Sequence, residues 1–187
     1  MNLIFDIETT GLPKTKTANP EDLELYDSAR IVSIAWIIIN KNKEIVQQEY
    51  YIIKPDNFII PEIATKIHNI STEFALEYGI EINEMFNRIE KVLEKTESIL
   101  SYNINFDYNV LKSELIRYNK NNIIEKLDKN NKNCIMLMSQ NYMSLKYYPK
   151  LCNAYKYIFK EEINNAHNAL DDTISCYKIY KFLEQSQ

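Results

Sequence analysis

The sequence is poor in the features that mark secreted, membrane and zinc-binding proteins. It has three cysteines in 187 residues, and no two of them form a C-x-x-C pair. This spacing argues against a disulfide framework, a zinc site or a thiol nucleophile. The longest apolar stretch, Ile31–Ile39, is too short to cross a bilayer. The N-terminus shows no basic segment followed by a long apolar run, so we expect a cytoplasmic protein without a signal peptide or membrane contact.

Positive charge is also scarce. Lys and Arg number 22 against 26 Asp and Glu, which gives a net charge of −4. That balance argues against a protein that holds long nucleic-acid duplexes through a broad basic surface. Hydrophobic residues make up 45% and charged residues 26%, as in ordinary globular proteins. We therefore expect residues 1–187 to form a single domain with its own core.

Short β-branched segments alternate with amphipathic ones along the chain. This alternation predicts an α/β fold, a mixed sheet covered by helices. The polar stretches 14–28 and 120–133 are interpreted as loops, with order in the second only over 123–127. Strands are predicted at 2–7, 31–39, 44–53, 98–102 and 134–136, and helices at 61–68, from 71 or 72, 83–95, 106–118, 151–159 and 169–183.

Two carboxylates stand in the first predicted strand. Asp6 and Glu8 are two residues apart, so both side chains lie on one face, opposite to Ile7. Neighbouring carboxylates repel each other unless a positive group compensates them, and hard divalent cations prefer oxygen ligands. Taken alone, the pair fits either a metal site or a strand end whose acids are solvated.

Two further segments carry acidic residues near helix starts. Asp107 falls in the first turn of a predicted helix, where the helix dipole alone also favours an acid. His167 precedes the last predicted helix, and Asp172 follows it by five residues. Asp171 lies about 100° around the helix from Asp172, so only one of them can face a common site. A histidine at this position also fits a capping or surface role.

Taken in order, these segments resemble the three motifs of the DEDDh branch of the DnaQ-like 3′–5′ exonucleases. Those motifs read D-x-E-T-T-G-L, N-x-x-F-D and H-x-A-L-x-D. The similarity extends to three more segments and so covers nearly the whole chain: 30–32 (RIV), 61–71 and 149–167. The motif residues are DIETTGL at 6–12, NINFD at 103–107 and HNALDD at 167–172.

The resemblance implies an RNase H-like fold, with a five-stranded mixed sheet flanked by helices. It also implies two divalent metal ions, Mg²⁺ or Mn²⁺. The spacing from His167 selects Asp172 over Asp171 as a ligand, and His167 becomes the general base. The implied catalytic residues are His167, Asp6 and Glu8, and the implied metal ligands are Asp6, Glu8, Asp172 and, directly or through water, Asp107.

The implied reaction is hydrolysis of phosphodiester bonds from the 3′ end of DNA, in proofreading or repair, with release of nucleoside 5′-monophosphates. Two metal ions would activate the attacking water and stabilise the leaving oxygen. The expected substrate is a single-stranded or frayed 3′ end, and a polymerase is an expected partner. The negative net charge is compatible with an enzyme that holds only a few nucleotides, because bound cations offset part of it.

Five residues are predicted to bind substrate. Thr9 and Thr10 can offer backbone N–H or hydroxyl groups to the terminal nucleotide, and Asn103 belongs to the second motif. Phe106 fits a stacking platform or the core equally well. His68 matches a position near the nucleotide in relatives, but a structural role fits it too. A contact from Glu62 is not assigned, because its spacing to His68 is one residue longer than in well-known proofreading subunits.

Two alternative functions remain open at this point. The same catalytic set serves exonucleases that trim RNA 3′ ends and oligoribonucleases, and the sequence does not distinguish DNA from RNA. A non-catalytic nucleic-acid-binding module would keep the fold but would be expected to lose some ligands. All five motif positions are filled here.

Overall fold

A five-stranded mixed sheet forms the centre of the fold. A computed structural model describes residues 1–163 and 167–185. The first three strands are antiparallel neighbours, and the last two run parallel to the first, in the order β3-β2-β1-β4-β5. The predicted five-stranded mixed sheet is confirmed. The strands are β1 Asn2–Thr9, β2 Ile31–Ile39, β3 Ile45–Ile52, β4 Ser98–Ser101 and β5 Asn131–Cys134.

Helices cover both faces of this sheet. Helices α3 to α5 pack on one face and α6 to α8 on the other, while α1 and α2 pack beside the start of β2. No helix in the ranges 1–163 and 167–185 is long and apolar enough to cross a membrane. The helices are α1 Glu62–His68, α2 Thr72–Tyr78, α3 Ile82–Leu93, α4 Ile104–Arg117, α5 Asn121–Lys129, α6 Ile135–Tyr142, α7 Leu151–Phe159 and α8 Ala169–Gln185.

Strand β1 shows how the sequence positions the carboxylates. Leu3, Phe5 and Ile7 alternate toward the core under α3 to α5, and Ile4 points to the core under α6 to α8. Asp6 and Glu8 continue the row of Ile4, because side chains two residues apart share a face. The strand runs to Thr9, two residues beyond its predicted end, so Glu8 is held in extended backbone.

Two predictions about less regular segments were wrong. Helix α5 begins at Asn121 and ends at Lys129, beyond the expected 123–127, because Ile123 and Leu127 bury one face of it. The last strand is Asn131–Cys134 instead of 134–136, and residues 135–142 form a helix. The range 14–28 is a loop, as predicted, with one 3₁₀ turn, Leu23–Tyr26, whose Tyr26 is buried.

A buried ion pair ties the start of β2 to α4. The guanidinium of Arg30 donates through Nε to Glu114 Oε1, and through Nη2 to Oε2 at 3.2 Å. The two side chains are only 8% and 1% exposed. The guanidinium also lies over the ring of Phe58, 4.6 Å from its centroid. Removing one partner would therefore leave an uncompensated charge away from water.

We expect Glu114→Ala to destabilise the protein strongly for this reason. Breaking a buried pair costs about 3–5 kcal/mol, which lowers the melting temperature by roughly 10 °C in a domain of this size. The matched control is Glu62→Ala, which removes the exposed Glu62–Lys66 pair at 2.7 Å, with side chains 81% and 70% exposed. Thermal unfolding followed by circular dichroism should show little change for the control. Equal losses in both variants would contradict this account.

Candidate active site

The predicted catalytic residues converge at the carboxyl end of β1. Three segments far apart in sequence contribute them: β1, the first turn of α4, and the turn that opens α8. Glu8, His167 and Asp172 each bring one carboxylate oxygen or imidazole nitrogen within 4.8 Å of the others. Asp6 and Asp107 are close enough to these acids that their charges raise one another's pKa values.

Asp107 accepts a hydrogen bond from a backbone N–H of β1 that has no partner in the sheet. Strand β4 pairs with β1 only along Asn2–Ile4, so the N–H of Ile7 has no strand partner on that edge. That N–H donates to Asp107 Oδ1 at 3.2 Å, and the hydroxyl of Ser101 donates to Oδ2 at 2.7 Å. The side chain is buried. These two bonds place its carboxylate beside the backbone that joins Asp6 to Glu8.

Asp172 is fixed by the turn before α8. The backbone N–H of His167 donates to Asp172 Oδ2 at 3.2 Å, and Asn168 Oδ1 accepts from the N–H of Leu170 at 3.0 Å. His167 has a φ of 70°, a left-handed conformation uncommon for a side chain with a Cβ. Asp172 is buried, and its Oδ1 has no hydrogen-bond partner among the described residues. Asp171 does not join the group with Glu8 and His167.

Burial and mutual repulsion make the carboxylates difficult to ionise. Burial, and then the charges of Asp107, Asp172 and Glu8, raise the pKa of Asp6 well above its usual value. Burial and the charges of Asp172 and Asp107 raise the pKa of Glu8 to about 8. Burial raises the pKa of Asp172 to about 6. For Asp107, burial raises the pKa despite the opposing hydrogen bonds from Ser101 and Ile7.

This donor set fits divalent cations. The carboxylates of Asp6, Glu8, Asp107 and Asp172 offer hard oxygen ligands at one place, and a cation would offset the charges that burial and repulsion disfavour. The partnerless Oδ1 of Asp172 is a ligand atom that the described residues leave unused. The family's expected dependence on divalent metal therefore agrees with the residues present.

A cavity of about 330 Å³ lies next to Glu8, between the end of β1 and α1. We call it the β1–α1 cavity. Four of the five residues predicted to bind substrate line it, and Asn103 does not. Its walls include Glu8, Thr9, Thr10, Leu12, Ile63, Ile67, His68 and Phe106.

His68 lines this cavity, and its side chain is buried and uncharged. Its Nδ1 accepts the N–H of Ile70 at 3.2 Å, which assigns the ring proton to Nε2. Burial lowers the pKa of His68, in agreement with the neutral ring. Its Nε2 has no hydrogen-bond partner within residues 1–163 and 167–185. His68 is therefore held by its bond to Ile70, and a backbone contact with Thr9 opposes the effect of burial on its pKa.

The two threonines use their hydroxyls inside the protein. Thr9 Oγ1 donates to the carbonyl of Gly11 at 2.6 Å, and Thr10 Oγ1 donates to the carbonyl of Ser28 at 3.0 Å. Thr10 also donates its N–H to the carbonyl of Arg30 at 2.9 Å. A Cβ at Gly11 would come within 2.9 Å of the Ser28 carbonyl, so only glycine fits this approach. The segment is therefore braced against the start of β2.

The rim of the β1–α1 cavity contains residues that sequence reasoning missed. Glu62 faces solvent in its pair with Lys66, while Ile63 and Ile67 line the cavity. Their spacing is the signal that could have indicated them. The two isoleucines are four residues apart on a helix near a histidine that is predicted to bind substrate.

Tyr50 is a second residue near the site that the motifs did not indicate. It lies opposite Ala35, which lies opposite Asp6 in the sheet. Burial raises the pKa of Tyr50, and the charge of Glu8 contributes. The pairing register of the predicted hairpin could have placed Tyr50 on the same face of the sheet as Asp6. The motifs did not indicate Tyr50, because none of them includes β3.

Comparisons with known proteins agree with this arrangement. The model of the exonuclease family (RNase_T) matches residues 3–180. The PolC-type DNA polymerase III of Mycoplasma genitalium is 28% identical in an alignment of length 189 that covers 98% of this chain. The chain spans only 11% of that polymerase.

Solved structures show the same fold. E. coli exonuclease I in complex with a dT13 oligonucleotide superposes with a TM-score of 0.74 at 20% identity, over 98% of this chain and 40% of that one. Exonuclease I of Methylocaldum szegediense gives a TM-score of 0.77 at 20% identity, over 100% of this chain and 40% of that one. The likeness confirms the predicted RNase H-like fold.

The raised pKa values predict an unusual pH dependence of stability without metal. Each such carboxyl binds its proton more tightly in the folded than in the unfolded protein, so the stabilisation is present at low pH and is lost as pH rises through about 6 to 8. In EDTA, the melting temperature should fall between pH 5.5 and 8 by about 3 °C or more, as expected for roughly 1 kcal/mol. Excess Mg²⁺ should restore it at pH 8.

Two substitutions separate this effect from general titration. Glu8→Gln removes the carboxyl whose pKa is about 8, so the loss between pH 5.5 and 8 should shrink. Glu24→Gln removes an exposed acid in the 3₁₀ turn and should leave the loss unchanged. A melting temperature that rises with pH in EDTA would contradict the proposed repulsion.

Proposed function

The chain belongs to the exonuclease family, matched over residues 3–180, and on this basis we propose that it hydrolyses DNA from the 3′ end and releases nucleoside 5′-monophosphates. The family match confirms the resemblance to DnaQ-like exonucleases. One observation carries the proposal: four carboxylates and an imidazole converge from three segments beside the β1–α1 cavity. An inactive relative would have no reason to retain this repulsive group.

In the proposed mechanism, Asp6, Glu8 and Asp172 hold two divalent ions, Mg²⁺ or Mn²⁺, and Asp107 assists directly or through water. When bound, these ions supply the polarisation that lets water attack a phosphodiester at neutral pH. Asp107 keeps its position through its bonds with Ile7 and Ser101. The protein thus holds its ligands in place before substrate arrives.

His167 is proposed as the general base. It is exposed at the mouth of the site, while Asp107 and Asp172 are buried. An exposed imidazole can accept a proton from the attacking water and pass it on to solvent. The hydrogen bond from its backbone N–H to Asp172 couples the position of the proposed base to that of a proposed metal ligand.

DNA is the proposed substrate because of the relatives. The E. coli exonuclease I structure contains a dT13 oligonucleotide, and the Mycoplasma genitalium relative is a DNA polymerase. We propose single-stranded or frayed 3′ ends as the substrate, in proofreading or repair, with a polymerase as partner. The domain that carries this function is proposed to be residues 1–187.

The proposal predicts a ladder of products from a 5′-labelled single-stranded DNA oligonucleotide. In Mg²⁺ or Mn²⁺ the label should remain on fragments that shorten from the 3′ end, and EDTA should stop the reaction. His167→Ala should slow the reaction by about 10²- to 10⁴-fold, the usual contribution of general base catalysis. Denaturing gel electrophoresis over time measures each rate.

Asp172→Asn and Asp171→Asn form a matched pair for the same assay. The first removes a predicted ligand and should abolish the ladder, while the second changes the neighbouring acid and should leave the rate near that of the wild type. A matched RNA oligonucleotide degraded much faster than DNA would move the proposal to RNA 3′-end trimming. Binding of both nucleic acids without turnover in either metal would contradict catalysis and support a binding module.

A further inference from the structure

The carboxylate of Glu8 lacks the support that Asp107 and Asp172 receive. Both of those acids accept hydrogen bonds that hold their carboxylates in place. No residue in the ranges 1–163 and 167–185 donates a hydrogen bond to Glu8, and only burial and neighbouring charges shift its pKa. Carboxylates that bind a metal ion are usually hydrogen-bonded by a second layer of residues. A group that could serve Glu8 in this way is therefore of interest.

Ser33 lies directly across the sheet from Glu8. The two residues are partners in the antiparallel pairing of β1 and β2. Side chains of such partners share a face, with Cβ atoms about 4.5–5.5 Å apart. Ser33 is fully buried, and its Oγ has no hydrogen-bond partner in the described part of the chain. A hydroxyl without a partner thus lies beside a carboxylate without a donor.

Ser33 differs in this respect from the other buried serines that the structure describes. Each of the others donates its hydroxyl to a carboxylate or to a backbone carbonyl. A buried hydroxyl without a partner lowers the stability of the folded protein, so this one needs an explanation. The buried serines that have partners are Ser101, Ser113, Ser139 and Ser175.

Tyr50 continues the same face of the sheet on the next strand. It is the partner of Ala35 on β2, and Ala35 is the partner of Asp6. Ala35 is fully buried and has only a methyl group, which leaves room for the larger ring beside it. Burial raises the pKa of Tyr50, the Ser33 hydroxyl lowers it, and the charge of Glu8 raises it further. The Tyr50 hydroxyl therefore lies near both Ser33 and Glu8.

We propose that Ser33 and Tyr50 are positioning residues that hold Glu8 in the metal-bound site. The Ser33 hydroxyl donates to the Glu8 carboxylate, and the Tyr50 hydroxyl donates to Ser33 Oγ. A hydroxyl donates one proton and also accepts, so this chain leaves Ser33 with both a donor and an acceptor as partners. Rotation of the serine about a single bond redirects its hydroxyl. The inference rests on the proposed function, in which Glu8 holds a divalent ion.

Calorimetric titration of Mn²⁺ without nucleic acid tests the role of Ser33. Ser33→Ala should weaken Mn²⁺ binding by about 10- to 100-fold, the usual effect of removing a group that holds a metal ligand. In EDTA the variant should unfold at the wild-type temperature or above it, because it loses a buried hydroxyl that has no partner. A lower melting temperature with unchanged Mn²⁺ affinity would show a purely structural role and overturn the proposal.

Tyr50→Phe tests the second hydroxyl and leaves the ring in place. It should weaken Mn²⁺ binding by a smaller factor than Ser33→Ala. The double variant should bind Mn²⁺ as Ser33→Ala does, because Tyr50 acts on Glu8 through Ser33. Losses that multiply in the double variant would show that the two hydroxyls act independently, and would overturn the proposed chain.

Each variant has a matched control on the other face of the sheet. Tyr51→Phe removes the neighbouring hydroxyl, which donates to Glu49 and accepts from Arg88 Nη1 at 3.1 Å. Ser113→Ala removes a buried serine hydroxyl that donates to the carbonyl of Val110 at 2.9 Å. Neither control should change the affinity for Mn²⁺.

The outcomes separate this inference from the proposed function. Equal losses of Mn²⁺ affinity in a variant and its control, or wild-type affinity in Ser33→Ala, would overturn the inference and leave the proposed function intact. Failure of the wild type to bind Mn²⁺ would overturn the proposed function and this inference with it.

Discussion

Repulsion among four carboxylates at the end of β1 is the constraint on which the site depends. Burial raises the pKa values of Glu8 and Asp172, and for Glu8 the charges of Asp172 and Asp107 raise the pKa further. Two apolar cores, one on each face of the sheet, supply the stability that holds them together. Hydrogen bonds from Ser101, Ile7 and His167 fix two of the acids in place. The arrangement is unfavourable alone, and a bound divalent cation would offset the negative charges.

Local periodicity and the resemblance of the ordered motifs to a known family together predicted which residues meet at this site. The two-residue period of β1 predicted that Asp6 and Glu8 share a face, and the motif spacing singled out Asp172 over Asp171. The sequence could not predict how Asp107 is held, because that depends on β4 ending before it reaches Ile7. The sequence also did not predict the position of β5. Asn131–Cys134 has no apolar alternation, and it forms a strand because β4 offers a parallel partner.

The segment after β1 is held against the start of β2 and also lines cavities near the site. Thr10 and Gly11 brace it against the start of β2, where the Arg30–Glu114 ion pair connects to α4. Leu12, the next residue, lines both the β1–α1 cavity and a second cavity of about 430 Å³ at the start of α4. The residues that line these cavities come from five other segments, and their meeting depends on tertiary packing. For this reason the motifs indicated Phe106 but not Ile63.

The most direct test of the central claim is the number of protons released when Mn²⁺ binds. Calorimetric titration at pH 6.5 in two buffers of different ionisation enthalpy measures this number. Because burial raises the pKa of Glu8 to about 8 and of Asp172 to about 6, part of the site is protonated without metal, and binding should release protons. Glu8→Gln should reduce the release. Mn²⁺ binding without proton release, or no binding at all, would contradict the account.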